Sequence, residues 1–155
     1  MSELRTNRIV PRDGLPSGSS GGVIQVKQSL YSTHATYTNT DFAALSGFTC
    51  AITPTRADSK ILITLNLCVE VRSASIICMQ LTRGGSSIFT NLGGMRGDGT
   101  AQGGYVSMTY LDSPASTSAL TYGVETKSSN STYAINNYIG SGPTNSFLTL
   151  MEVSG

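Results

Sequence analysis

Charge is what this sequence has least of: Asp, Glu, Lys and Arg together make up 12% of the chain, about half the usual share. A helical bundle draws heavily on Glu, Lys, Leu and Ala, so a chain with 22 Ser, 19 Thr and 17 Gly is not one. The formal net charge of +1 leaves no long-range field with which to hold nucleic acid or an anionic membrane, and neither is expected as a partner. No stretch approaches the ~18 to 20 uninterrupted apolar residues of a membrane helix. The first 20 residues carry no apolar run of the signal-peptide kind, so synthesis in a cytoplasm is expected. Cysteine is scarce and odd in number. Cys50, Cys68 and Cys78 lack C-x-x-C spacing, which argues against both a disulfide framework and a thiolate metal site, and reads as three reduced, buried thiols. Histidine is represented by His34 alone, in a Ser/Thr-rich segment without a second ligand at helical or strand spacing. No metal and no cofactor are expected.

What is present is enough for one core. At 155 residues the chain is one domain's worth of protein, and its 39% hydrophobic content rules out wholesale disorder. Residues 14–22, rich in Gly, Ser and Pro, read as a flexible linker. They divide the chain into an arm (1–13), the linker (14–22) and a head (23–155). The arm is basic, with Arg5, Arg8 and Arg12 against Glu3. Leu4, Thr6, Arg8 and Val10 alternate there with Arg5, Asn7, Ile9 and Pro11. That is too little apolar mass for a core, but it suits an extended strand added to another protein's surface.

The head reads as all-β. A β-branched run opens at Val23, and a short strand over 47–52 closes at Thr53-Pro54. Then Ile61, Ile63, Leu65, Leu67, Val69 and Val71 fill every odd position, the period of a strand about 37 Å long at ~3.4 Å per residue. Further strands are predicted over 75–82 and 86–92, joined by Arg83-Gly84-Gly85 in a tight hairpin, and over 105–111, 119–126, 132–139 and 147–153. The glycines of 93–104 are expected to form a loop. Short strands, turn signals and no helical pattern predict a single antiparallel β-sandwich of jelly-roll type with an extended N-terminal arm.

Chemistry is hard to find. No G-x-S-x-G elbow, P-loop or dinucleotide fingerprint occurs. Asp13, Asp41, Asp58, Asp98 and Asp112 fall in segments that read as turns. Glu70 and Glu125 lie in predicted strands, where a cross-strand partner for Arg72 or Lys127 is the plainer role than acid–base catalysis. Arg96-Gly97-Asp98 is a tripeptide that some adhesins use, but in a glycine-rich chain it reads as chance, and the sequon Asn130-Ser131-Thr132 reads as a turn. Tyr105, Tyr110, Tyr122, Tyr133 and Tyr138 concentrate in the last third. Their flat apolar faces and polar edges make them candidates for covering the core, for subunit contact or for holding a glycan.

The segment Ser2 to Pro16, the glycine linker and Val23-Ile24-Gln25-Val26 together resemble the start of small structural proteins of tailed bacteriophages, notably those infecting cyanobacteria. Phe48 to Pro54, Ser59 to Ile63, Leu81-Thr82-Arg83-Gly84 and Leu148 to Val153 are similar to the strand pattern of phage fibre and spike tip domains. Many such proteins carry a tryptophan before the second strand. This chain has none, and Phe42 or Phe48 is expected to fill that space. The resemblance implies a non-enzymatic virion protein: a homotrimeric fibre, spike or decoration protein displaying a β-sandwich. It would attach to another capsid or tail protein through its arm, with Leu4, Arg5, Asn7, Arg8, Ile9 and Pro11 as the anchoring residues. The alternative is an adhesin for host surface glycan, and a glycan depolymerase stands third.

Overall fold

The computed structural model describes residues 22–130, 132–137 and 144–155. The arm, all but the last residue of the linker, and Tyr138 lie outside these residues. Ten strands follow in chain order: β1 (Val23–Tyr31), β2 (Ala35–Tyr37), β3 (Ala43–Ile52), β4 (Lys60–Val71), β5 (Ile76–Arg83), β6 (Ser86–Arg96), β7 (Gln102–Asp112), β8 (Leu120–Ser128), β9 (Tyr133–Ile135) and β10 (Ser146–Val153).

They form two antiparallel sheets, the sandwich that the alternation predicts. In the first, β4 is central. It pairs along its whole length with β7, and on its other edge first with β10 and then with β9. Outside these lie β1 on β10 and β2 on β9. The second sheet runs β3-β8-β5-β6. The odd-numbered side chains of β4, from Ile61 to Val71, are all fully buried. They share the core with Leu148 and Leu150 from β10 and, across the sandwich, with Leu45, Phe48, Ile77, Met79, Leu81, Tyr122 and Val124. A shift of one residue would turn all six β4 side chains outward, so the burial pattern fixes the register. Phe48 stacks on Tyr31 within this core, ring centroids 4.8 Å apart, whereas Phe42 lies outside it beneath the Lys127 ammonium. Cys50, Cys68 and Cys78 are buried and unpaired.

Three details depart from the sequence expectations, and glycine underlies two of them. The strand predicted over 47–52 begins at Ala43 and passes through a bulge, where Gly47 takes φ +81° and the pairing with β8 skips from Ala44 to Thr49. The predicted loop over 93–104 shrinks to residues 97–101, because Gly93 and Gly94 belong to β6 and Gly103 and Gly104 to β7. A Cβ at Gly94 would stand 2.5 Å from the carbonyl oxygen of Ile77, so this glycine permits a close backbone approach inside the sheet. The strand predicted over 132–139 is described only as the short β9, after which Asn136 turns the chain at φ 57°. The hairpin is as read: Gly84 and Gly85 both take positive φ between paired Arg83 and Ser86, the type I′ requirement.

Candidate functional site

The acidic side chains are held by neighbours that serve the fold. Glu152 is fully buried on β10. Its Oε2 accepts from Gln25 Nε2 at 2.6 Å, and its Oε1 accepts from the backbone N–H and the hydroxyl of Thr55 at 2.7 and 2.8 Å. Burial acts most strongly on this group and raises its pKa, but hydrogen bonds, including those from Gln25 and Thr55, together outweigh burial and leave the pKa below the ordinary glutamate value. Asp112, read as a turn residue, is instead the buried last residue of β7. It accepts from Arg83 Nη1 at 2.6 Å and from the Tyr122 hydroxyl at 2.7 Å, which ties the first sheet to the second. Burial first, and Asp112 next, push the Tyr122 phenol far above its ordinary pKa, so it remains a neutral donor.

Glu70 and Glu125 belong to different sheets. Glu70 pairs with Arg72, two residues along the same segment and not across strands as expected, and also accepts from Asn137 Nδ2 at 2.5 Å. Glu125 accepts from Nε2 of its cross-strand neighbour Gln80 at 2.8 Å, while Lys127 sits 4.7 Å from the Phe42 ring centroid, so the cross-strand partner of Glu125 is an amide and not the expected cation. His34 is exposed between β1 and β2. Among the described residues, no three His, Cys, Asp or Glu side chains are grouped to hold a metal ion.

The tyrosine cluster is divided by the fold. Tyr122 and Tyr133 are fully buried and face the core, so neither reaches a subunit or a glycan. Tyr133 donates to Asn39 Oδ1 at 2.9 Å, contacts the Thr126 hydroxyl at the same distance, and stacks on Tyr37. Of the roles the sequence left open, covering the core is the one these two take. Tyr110 is half-buried on Phe89, where the β6 and β7 edges meet, with ring centroids 5.0 Å apart. Tyr105 alone of the described candidates is broadly exposed. Arg96-Gly97-Asp98 also has a local explanation. A Cβ at Gly97 would fall 2.3 Å from the Ser73 carbonyl oxygen, and Asp98 accepts from the Thr100 hydroxyl and N–H to close the turn.

Two surfaces remain that the sequence reading did not find. On the outer side of the second sheet, the β3 bulge leaves a concavity of about 320 Å³ lined by Thr49, Thr82, Thr121, Gly123 and Glu125, among others. On the outer side of the first sheet, pairing aligns three rows across β1, β10, β4 and β7: Val26, Met151, Leu62, Leu111; Gln28, Thr149, Thr64, Thr109; and Leu30, Phe147, Asn66, Ser107. No charged residue stands in any of them. The signal for this face was in the sequence, in the even positions of β4 and the odd positions of β10, but only the register brings the rows together.

A comparison of the chain with protein-family models and with curated proteins finds no match.

Proposed function

We propose that this chain is a non-enzymatic virion structural protein: a homotrimeric fibre, spike or decoration protein whose N-terminal arm attaches to another capsid or tail component. The observation that carries the reading is the strand order, β1-β10-β4-β7 facing β3-β8-β5-β6. Successive strands cross from sheet to sheet, except for the β5–β6 hairpin and the short insertions β2 and β9. We take this as a jelly roll, an architecture that recurs in viral capsid and lectin domains. The engagement of Glu152, Asp112 and Glu70 in structural contacts supports a display role over acid–base catalysis. The test is incorporation. Antibody labelling of purified particles is expected to find the full-length chain on the virion and to lose it when residues 1–22 are deleted. Particles that retain the truncated chain at full occupancy would refute anchoring by the arm.

A second reading, an adhesin for host surface glycan, is favoured by the concavity beside the β3 bulge, a largely apolar hollow of the kind that suits the flat face of a sugar ring, with Glu125 in its lining. A glycan array probed with the whole chain and with Glu125→Ala tests it. Signal on defined glycans that the substitution removes supports the reading, and a blank array removes it.

A further inference from the structure

We propose that the outer face of the β1-β10-β4-β7 sheet is the subunit contact, covered by further copies of this same chain. The inference rests on the oligomeric reading above and deepens it by naming the surface.

The two outer faces of the sandwich differ in kind. On the second sheet, Glu125 and Lys127 stand on β8 with Gln80 and Phe42 as neighbours, the composition of a solvated face. On the first sheet the three aligned rows hold no charge; the charges that flank them are Lys60, paired with Val153 at one end of the sheet, and, beyond the Cys68–Tyr105 row at the other, Glu70, which is buried and paired with Arg72. Among the described residues, the most exposed large apolar side chains are Val23, Val26, Leu30, Leu92, Tyr105 and Leu111, each about half exposed or more. All but Leu92 lie on this one face. Depletion of charge is the compositional mark of an interface centre, while overall apolarity is not.

The polar groups of the face are already partly satisfied by one another. Gln28 Nε2 donates to Thr149 Oγ1 at 2.9 Å, and the Ser107 hydroxyl donates to Asn66 Oδ1 at 3.2 Å. Lateral pairing lowers the cost of removing them from water. Charge also selects the occupant. An acidic or basic partner would leave its charges unpaired here, whereas a second copy brings the same neutral rows. The size is adequate: four strands ~4.8 Å apart and about eight residues at ~3.4 Å each give a projected footprint on the order of 500 Å². The corrugated side chains expose more than that projection, which approaches the ~800 Å² per partner of a standard interface.

Light scattering and sedimentation velocity on the full chain test this, with Leu62→Glu and Thr64→Lys on the face and Thr90→Lys on the other sheet as control. The wild type and Thr90→Lys are expected near three times 16.2 kDa. The two face variants are expected as monomers, with at least a tenfold rise in the concentration needed for assembly and an unchanged far-ultraviolet circular dichroism spectrum. Should Leu62→Glu fail to fold, Thr64→Lys carries the test, because its side chain is only half-buried in the single chain. A wild-type trimer that survives Thr64→Lys overturns the face and leaves the trimer standing. A dimer that both face variants dissociate keeps the face and overturns threefold stoichiometry. A wild-type monomer at all concentrations overturns both, and one that associates only after deletion of residues 1–21 assigns the face to the chain's own N-terminal segment.

Discussion

Single side chains show how a charge-poor sandwich uses the few charges it has. Glu152 is buried where a hydrocarbon would ordinarily sit, yet three hydrogen bonds from Gln25 and Thr55 favour its ionised form. Its folded pKa lies below the ordinary 4.5. The stability it contributes is therefore complete above about pH 4.5 and is lost as pH falls through the lower folded value. Denaturant titrations between pH 7 and pH 3 are expected to show a fall in stability that Glu152→Gln diminishes, with the variant less stable at pH 7 by about 1 to 3 kcal/mol. An undiminished fall in the variant would place the acid sensitivity elsewhere. Leu65 illustrates the opposite chemistry. Fully buried on β4 between Leu148 and Met108 of the neighbouring strands, it is expected to cost about 2 to 5 kcal/mol on truncation to Ala, measured by equilibrium unfolding.

At the scale of elements, the β6–β7 region is where local composition misled. Six glycines between residues 93 and 104 suggest a loop, but strand pairing extends through most of them because their missing side chains let neighbouring backbones approach. Gly97 is the sharpest case. A methyl there would meet the backbone of Ser73 and stand 2.9 Å from Val71 Cγ1. Gly97→Ala is expected to destabilise by about 1 to 3 kcal/mol, the range for overpacking, read from the midpoint of urea unfolding. An unchanged midpoint would mean that the 73–75 segment yields freely. Strands whose alternation was clean, β4 and β10 above all, were legible before folding. The β3 bulge and the short β2 were not, because both depend on what lies beside them.

For the whole molecule, the head holds a continuous core within residues 22–155, from Tyr31 to Leu150. Deleting residues 1–21 is accordingly expected to leave the cooperative thermal transition of the head within about 2 to 4 °C, a shift corresponding to less than ~1 kcal/mol at this size. A larger drop, measured by calorimetry, would make the N-terminal segment part of the folded unit. The sandwich also sets where the acidic residues stand. Its two sheets separate Glu70 from Glu125, while Asp112 and Glu152 both flank Ile61 at one end, each engaged by donors from neighbouring segments.

The all-β class and the inward face of β4 were determined by the sequence alone, because strand periodicity and tight-turn glycines are local properties: a side chain's direction along a strand depends only on its parity. Parity does not say which strands become neighbours. The strand order, the inward turn of Tyr122 and Tyr133, the link from Arg83 to Asp112 and the charge-free rows from Val26 to Leu111 were decided by tertiary structure. Each joins residues far apart in the chain, and their proximity is set by how two sheets pair and close over a common core.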